Sequence, residues 1–125
     1  MTNVVLPENT CLGKLQLIEV YEYLDGARLF LTKNKTGFTF LVYWCDEKVN
    51  ATGWLYLPIS RTRLTQLKQR EMMLNAAFKA PETNYYYLAY TGHENGKDTA
   101  KMIYPAKLDP DFIPPKGYYL YADQS

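Results

Sequence analysis

The residues that could perform chemistry are few in this chain of 125 residues, and they stand far apart. The single histidine, His93, lies in the turn-rich stretch TGHENGK. In such a stretch a histidine is most often a solvent-exposed turn residue without a catalytic role. The two cysteines, Cys11 and Cys45, are too distant to form a C-x-x-C pair, and with one histidine they do not supply the three or four ligands of a zinc site. No phosphate-binding loop, dinucleotide fingerprint or nucleophile elbow occurs. The sequence therefore predicts no metal site and no cofactor.

Carboxylates give a somewhat stronger signal. Glu19 and Glu22 lie in the first predicted strand, and Asp25 lies at its end. Arg28, just across the turn, is the natural cross-strand partner of Glu22 or Asp25, and such a surface ion pair contributes about 0–1 kcal/mol. This interpretation is favoured over a general acid. A small enzyme that uses carboxylates together with His93 is kept as the second alternative.

The elements that must position these residues begin with the stretch GKLQLIEVYEYLDG, residues 13–26. Its side chains favour a strand, but neither set of alternate residues is wholly apolar. A strand whose inward face changes partway usually carries a β-bulge or a sharp bend, and small barrels use such strands at their corners. The pair Asp25-Gly26 is a strong signal for a two-residue hairpin. We therefore predict a bent first strand that ends in a tight turn.

The remaining elements are predicted from side-chain periodicity and from turn residues. A segment with helical spacing, residues 61–82, follows the N-cap Ser60 and fits either one long helix or two short ones. Further strands are predicted over residues 27–33, 38–47, 54–59, 84–92 and 97–106. Three prolines make residues 107–117 irregular, and residues 118–122 are predicted to form an edge strand.

Together these elements predict one domain, residues 1–125, with residues 1–12 as a loose N-terminal arm. The predicted fold class is β-rich α+β. The expected architecture is a small, strongly curved antiparallel barrel or half-barrel of the SH3-like type, with one or two short helices inserted.

Tyrosine is the unusual feature of the composition, with 12 residues in the chain. The run Tyr85–Tyr87 cannot face inward throughout, because neighbouring side chains of a strand alternate between faces. Tyrosine is enriched at interfaces, so surplus tyrosine without a catalytic set favours a non-catalytic protein-binding or regulatory module. A homodimer could form through the edge of the last strand. The candidate interaction surface consists of Tyr21, Glu22, Tyr23, Asp25, Arg28, Tyr85, Tyr86, Tyr87, Tyr118 and Tyr119.

The first alternative is a small barrel that binds single-stranded nucleic acid by stacking bases on aromatic rings within a basic groove. The formal net charge of +1 provides no strong overall field for a polyanion. A protein partner is therefore predicted ahead of nucleic acid. The basic residues Arg61, Arg63, Lys68 and Arg70 gather on the helical segment, whereas the tyrosines lie elsewhere in the sequence.

The opening MTNVVLPENT has neither the basic region nor the long apolar run of a signal peptide. No stretch approaches the roughly 18 apolar residues that span a bilayer. We therefore expect a cytoplasmic protein with free thiols at Cys11 and Cys45 and no membrane partner.

A family resemblance extends over roughly residues 12–90. The order LGKLQLIEVYEYLDGARLFLTKNKTG, FLVYWCDE, WLYLPIS, RLTQLKQREMMLNAAFKAPE and YYYLAY resembles a family of small uncharacterised bacterial domains. That family opens with L-I-E-V-Y-E-Y-x-D-G-P-x-L-F, and Ala27 stands here in place of the proline. The resemblance implies a bacterial source and an accessory role in an operon, such as a defence or toxin–antitoxin system. It carries over no catalytic residues.

Overall fold

The computed structural model describes residues 6–23, 27–92 and 97–120. Two short helices lie between the fourth and fifth strands, α1 (Arg61–Lys68) and α2 (Leu74–Lys79), so the two-helix alternative is the one observed. The predicted Asp25-Gly26 turn and His93 lie outside the described residues. The strands are β1 (Leu15–Tyr23), β2 (Ala27–Asn34), β3 (Thr39–Glu47), β4 (Ala51–Pro58), β5 (Tyr86–Gly92) and β6 (Thr99–Ile103).

The six strands form one antiparallel sheet in which each strand pairs with its neighbours along the chain. β1 and β6 are therefore its edges. No pairing joins them within the part of the chain that the structure describes, so the sheet is not closed. The predicted β-rich α+β class is confirmed, whereas the closed-barrel form of the prediction is not confirmed.

β1 changes its inward face because extra residues interrupt its pairing with β2. The register shifts between Leu17 and Glu19, which makes Ile18 an extra residue, and it shifts twice more before the strand ends. As a result Leu17 and Val20, three positions apart, pack on one side of the sheet, whereas Tyr21 packs on the other. The predicted irregularity in the first strand is confirmed. It allows β1 to contribute apolar side chains to both faces of the sheet.

Both faces of the sheet are covered by apolar residues. One face packs against the two helices and the C-terminal segment, and we call this side the helix-side core. The opposite face packs against the N-terminal segment, and we call it the arm-side core. The helix-side core includes Leu31, Leu55, Leu67 and Phe78. The arm-side core includes Leu12, Phe30, Phe40, Trp54 and Tyr56.

The N-terminal segment contains no helix or strand in residues 6–14, yet it is packed against the sheet. Leu12 is 2% exposed, and its carbonyl oxygen accepts a hydrogen bond from Asn34 Nδ2 at 3.2 Å. Nearer the N-terminus, the Cys11 thiol donates to the carbonyl of Ala100 at 3.5 Å, and the Glu8 amide donates to the Asp98 carboxylate at 2.9 Å. The arm therefore connects the end of β2 with β6.

The C-terminal segment differs from the prediction of an edge strand. Residues 118–120 are not part of a strand, and residues 121–122 lie outside the described range. The Tyr118 carbonyl instead accepts a hydrogen bond from the Leu74 amide at 3.0 Å, at the start of α2. Leu120, only 3% exposed, packs into the helix-side core. Burial of Leu120 and the bond to α2 hold this segment against the helix, and a homodimer through its edge has no strand to use in residues 118–120.

Neither α1 nor α2, nor any other helix in the described ranges, has the length and the apolar character that crossing a bilayer requires.

The start of α1 is tied to the segment that precedes β5. Ser60 Oγ accepts a hydrogen bond from the Arg63 amide at 3.1 Å, as expected of an N-cap. The Glu82 carboxylate in turn accepts hydrogen bonds from the Ser60 amide at 3.0 Å and from Ser60 Oγ at 2.6 Å. Its Oε1 also lies 3.7 Å from Arg63 Nε. These contacts connect the cap of α1 to the loop after α2.

We expect the contacts of the Glu82 carboxylate with Ser60 and Arg63 to make the stability of the protein depend on pH. Partial burial alone would raise the pKa of Glu82, but the hydrogen bonds from Ser60 and the charge of Arg63 hold that pKa below its usual 4.5. The stabilisation is therefore complete above pH 4.5 and is lost as the pH falls through the lower folded-state pKa. Because the side chain is 33% exposed, Glu82→Gln should lower the free energy of unfolding by at most about 1 kcal/mol at neutral pH.

Urea denaturation of Glu82→Gln and the parent protein, at neutral pH and at about pH 3, measures the effect. The difference between the two proteins should shrink at the lower pH. An equal difference at both pH values would contradict the role given to the Glu82 charge.

Candidate binding cleft

An open cleft of about 270 Å³ lies where the N-terminal arm, the turn between β2 and β3, and the start of β5 meet. Its lining is rich in rings. Phe38 and Phe40 come from the turn and from β3. Tyr85 directly precedes β5, Tyr87 lies at the start of β5, and Pro58 is the last residue of β4. We call this the aromatic cleft. It contains two of the tyrosines predicted to belong to an interaction surface.

The rings form a series of edge-to-face contacts that runs from the cleft into the arm-side core. The centroids are 5.6 Å apart for Tyr85 and Tyr87, 6.1 Å for Tyr87 and Phe40, and 5.7 Å for Phe40 and Tyr56. Tyr56 at the inner end is fully buried. Because core packing fixes the inner rings, the outer rings are already positioned for a ligand.

Strand alternation decides which tyrosines reach the cleft. Tyr86 is 1% exposed in the helix-side core, where its hydroxyl donates a hydrogen bond to the carbonyl of Phe78. Tyr85 and Tyr87 are half-buried and line the cleft on the opposite side. Tyr86 is therefore a core residue, and placing it on the interaction surface does not agree with its burial.

Asn34 builds the turn that carries Phe38. Its Oδ1 accepts hydrogen bonds from the Thr36 amide at 3.1 Å, the Thr36 hydroxyl at 2.7 Å and the Phe38 amide at 3.0 Å. Gly37 has φ +93°, a conformation that strongly favours glycine. Since Asn34 Nδ2 also holds the Leu12 carbonyl, one side chain sets both the turn and the arm on either side of the cleft.

Phe38 is the most exposed ring of the cleft, with 60% of its surface accessible. A single exposed apolar residue is ordinary, but this one belongs to a concave aromatic surface. The sequence prediction missed Phe38, Phe40, Pro58 and Asn34 as site residues. The available signal was a large aromatic residue placed directly after the Asn-Lys-Thr-Gly turn, where a polar residue would be expected.

The charged groups at the cleft are basic. Lys14 and Lys35 line it, and none of the described residues that line it is acidic. Inside the cleft, burial and the neighbouring Tyr85 raise the pKa of Tyr87, so the Tyr87 hydroxyl is a neutral hydrogen-bond donor at physiological pH. The cleft therefore offers apolar rings, hydroxyl groups and a positive margin.

A smaller cleft of about 150 Å³ gathers four other residues of the predicted surface: Tyr21, Arg28, Tyr118 and Tyr119. The guanidinium of Arg28 lies 4.6 Å from the centre of the Trp44 ring, in a cation–π contact. Tyr21 is only 6% exposed and belongs to the helix-side core, whereas Tyr118 is 45% exposed. The predicted surface is thus divided between two clefts.

Three predicted residues cannot be placed in either cleft. Asp25 and the side chains of Glu22 and Tyr23 lie outside the part of the molecule that is described. The expected pairing of Arg28 with Glu22 or Asp25 therefore stays a prediction.

Two described groups that could support catalysis, Glu19 and Cys45, have surroundings that do not favour it. Glu19 Oε1 lies 3.1 Å from Lys68 Nζ, and contacts with Tyr21 and Lys68 hold the pKa of Glu19 below its usual value, the reverse of what a general acid needs. Burial, with a smaller effect of Asp46, raises the pKa of Cys45 to about 12, so its thiol is protonated. Within residues 6–23, 27–92 and 97–120, no group of three or more His, Cys, Asp or Glu side chains could hold a metal ion.

Comparison with known proteins identifies a family. The model of a family of unknown function, DUF6575, matches residues 3–125. Neither the search of curated proteins nor the search of solved structures gave a match. The sequence prediction of an uncharacterised domain family is confirmed, and the bacterial source that went with it stays a prediction.

Proposed function

The chain belongs to DUF6575, a family of unknown function, and we propose that it is a non-catalytic protein-binding module that uses the aromatic cleft. The observation that carries the proposal is the position of Phe38, 60% exposed on a concave aromatic surface whose inner rings, Phe40 and Tyr87, pack in the arm-side core. Concave, preformed, mostly apolar surfaces with a few polar groups are typical of ligand sites. Tyrosine-rich clefts are typical of protein recognition.

The shape of the cleft favours an extended segment as its ligand. A volume of about 270 Å³, open to solvent, accommodates one or two side chains rather than a folded domain. Aromatic-lined grooves bind extended, proline-containing segments well, because such segments lose little conformational entropy on binding. The Tyr85 and Tyr87 hydroxyls can bond to the carbonyl groups of that segment.

Selection from a displayed library of random peptides tests this proposal. Peptides enriched on the full-length protein are measured for affinity against the parent protein and against Phe38→Ala. The affinity should fall by about thirtyfold or more, because truncation of a central aromatic residue costs about 2 kcal/mol. Phe38→Ala should not affect folding, since the ring is largely exposed.

Tyr118→Ala is the matched control, because Tyr118 is a 45% exposed aromatic residue that lines the smaller cleft instead. It should leave the affinity unchanged. If no peptide is enriched, or if Phe38→Ala binds as well as the parent protein, the proposal is rejected.

Single-stranded nucleic acid is the second candidate, and one observation favours it. Rings and lysines from three segments of the sequence meet at the aromatic cleft, where Phe38 and Tyr85 lie beside Lys14 and Lys35. The basic residues that suggested nucleic acid in the sequence do not take part. Retention of an oligothymidylate at about 50 mM salt, lost as salt is raised, would support this candidate.

We also propose the finer architecture that the sequence predicts, a curved half-barrel of the SH3-like type. The bulges of β1 support it, because a bulge bends a strand and increases its twist, and the arm supports it because its hydrogen bonds reach both the end of β2 and β6. The family resemblance supports a regulatory role in a bacterial cytosol, within a defence or toxin–antitoxin system.

A further inference from the structure

Two lysines line the aromatic cleft, and a third lies next to them. The two that line the cleft are Lys14 and Lys35. Lys33 lines an adjoining depression together with both of them, and it also lines a depression beside the start of α1. Lys14 directly precedes β1, whereas Lys33 and Lys35 lie at the end of β2 and in the turn that follows it. We call these three residues the lysine margin. All three are exposed.

Among the residues that the structure describes, none that lines the cleft or the adjoining depression provides an acidic counterpart to the lysine margin. The salt bridges within the described ranges lie elsewhere, between Arg63 and Glu82 and between Lys68 and Glu19. Glu8 of the arm lines a separate depression on the other side of Lys14. Since the whole chain is nearly neutral, this local excess of positive charge is a property of the site.

We infer that the partner is an acidic protein segment, in which a proline or an aromatic residue enters the aromatic cleft and flanking aspartates or glutamates face the lysine margin. This inference rests on the proposed function. Charge complementarity at the rim of an interface selects the partner and increases the association rate, while the apolar anchor supplies most of the affinity.

The arrangement of the rings favours an acidic peptide over nucleic acid. Tyr85 and Tyr87 contact each other edge to face with an interplanar angle of 88°, so their faces do not form the parallel platform on which successive bases stack. Arg63 and Lys68 of the helical segment are already paired with glutamates, so their charges are compensated and do not extend the lysine margin. A repeating phosphate backbone requires a longer basic track.

The test compares two triple variants with the same net charge. In the first, Lys14, Lys33 and Lys35 are replaced by Gln. In the second, the matched control, Lys79, Lys107 and Lys116 are replaced by Gln; these are exposed lysines of α2 and the C-terminal segment, away from the cleft. The probes are the library-selected peptides, the same peptides with Asp and Glu changed to Asn and Gln, and an oligothymidylate.

The enriched peptides should carry net negative charge, and their affinity should fall about tenfold in the first variant and stay unchanged in the second. Neutralising the peptide should have a similar effect, and both losses should diminish at high salt. If the peptides are uncharged, or bind both variants equally, the inference is overturned while the proposed function stands. If only the oligothymidylate binds, the inference and the proposed function both fail.

Discussion

Replacing Phe78 by alanine is expected to lower the free energy of unfolding by about 3–5 kcal/mol, the usual cost of removing a large ring from a core. Phe78 is fully buried on α2, and its ring lies 6.0 Å, centroid to centroid, from the ring of Tyr43 on β3. Its carbonyl also accepts the hydroxyl hydrogen bond of Tyr86 on β5. The residue therefore connects the helical segment to two strands of the sheet.

Phe38→Ala is the control for this prediction, since it removes the same ring from a position that is 60% exposed. Phe38→Ala should change the free energy of unfolding by no more than about 0.5 kcal/mol. Urea denaturation at one pH and temperature compares the two variants with the parent protein. Similar losses at both positions would contradict the assignment of Phe78 to the core and of Phe38 to the surface.

Gly53→Ala is the second large effect that we expect, with a loss of about 1–3 kcal/mol from overpacking. Gly53 is buried in β4 opposite Asp46, where the pairing of β3 and β4 shifts by one residue. A Cβ atom at this position would lie 2.8 Å from Asp46 Cβ and 2.9 Å from Tyr90 Cε1. Neither atom can move cheaply, because the Tyr90 hydroxyl donates to Asp46 Oδ2 at 2.7 Å and fixes both side chains.

A double-mutant cycle separates this mechanism from a general effect of alanine in a strand. In a Tyr90→Ala background the ring that meets the new methyl group is gone, so Gly53→Ala should cost less than in the parent protein. The free energies of unfolding of the four proteins give the coupling. An unchanged cost in the Tyr90→Ala background would show that contact with the ring is not the cause.

The sequence predicted the features of the fold that arise from local residue patterns. The mixed parity of GKLQLIEVYEYLDG indicated a β-bulge. The pairing of β1 with β2 shifts in register at Ile18, as such a bulge requires. Alternation placed Phe40 and Val42 on one face of β3, and both lie in the arm-side core. These features were predictable because a strand alternates its side chains between two faces, whatever the rest of the chain does.

The features that the sequence did not reveal depend on contacts between distant segments. The arm appeared loose because residues 1–12 lack periodicity, and its position depends on single bonds such as that from Asn34 to the Leu12 carbonyl. The last strand was predicted from its tyrosines, but burial of Leu120 and the bond between the Leu74 amide and the Tyr118 carbonyl prevail in the folded chain. Tertiary packing overrides strand propensity at such a position.

Only part of the candidate site was predictable, because the rest depends on contacts between distant segments. The run Tyr85–Tyr87 indicated exposed rings, and two of its members line the aromatic cleft. Lys14 and Lys35 were not considered because they are separated from those tyrosines by at least 50 residues in the sequence. Only the folded sheet brings these lysines close to the tyrosines. In the sequence, the clustered basic residues are the four of the helical segment, and these do not line the cleft.

The most direct test of the central claim is a nuclear magnetic resonance titration of the isotopically labelled protein with a selected peptide. Amide shifts should be confined to the segments that line the aromatic cleft, residues 11–14, 34–40 and 83–87, and should be absent in Phe38→Ala. Changes centred instead on the smaller cleft, around Arg28 and Tyr118, or on the exposed side of α1, would contradict the claim that the aromatic cleft is the binding site.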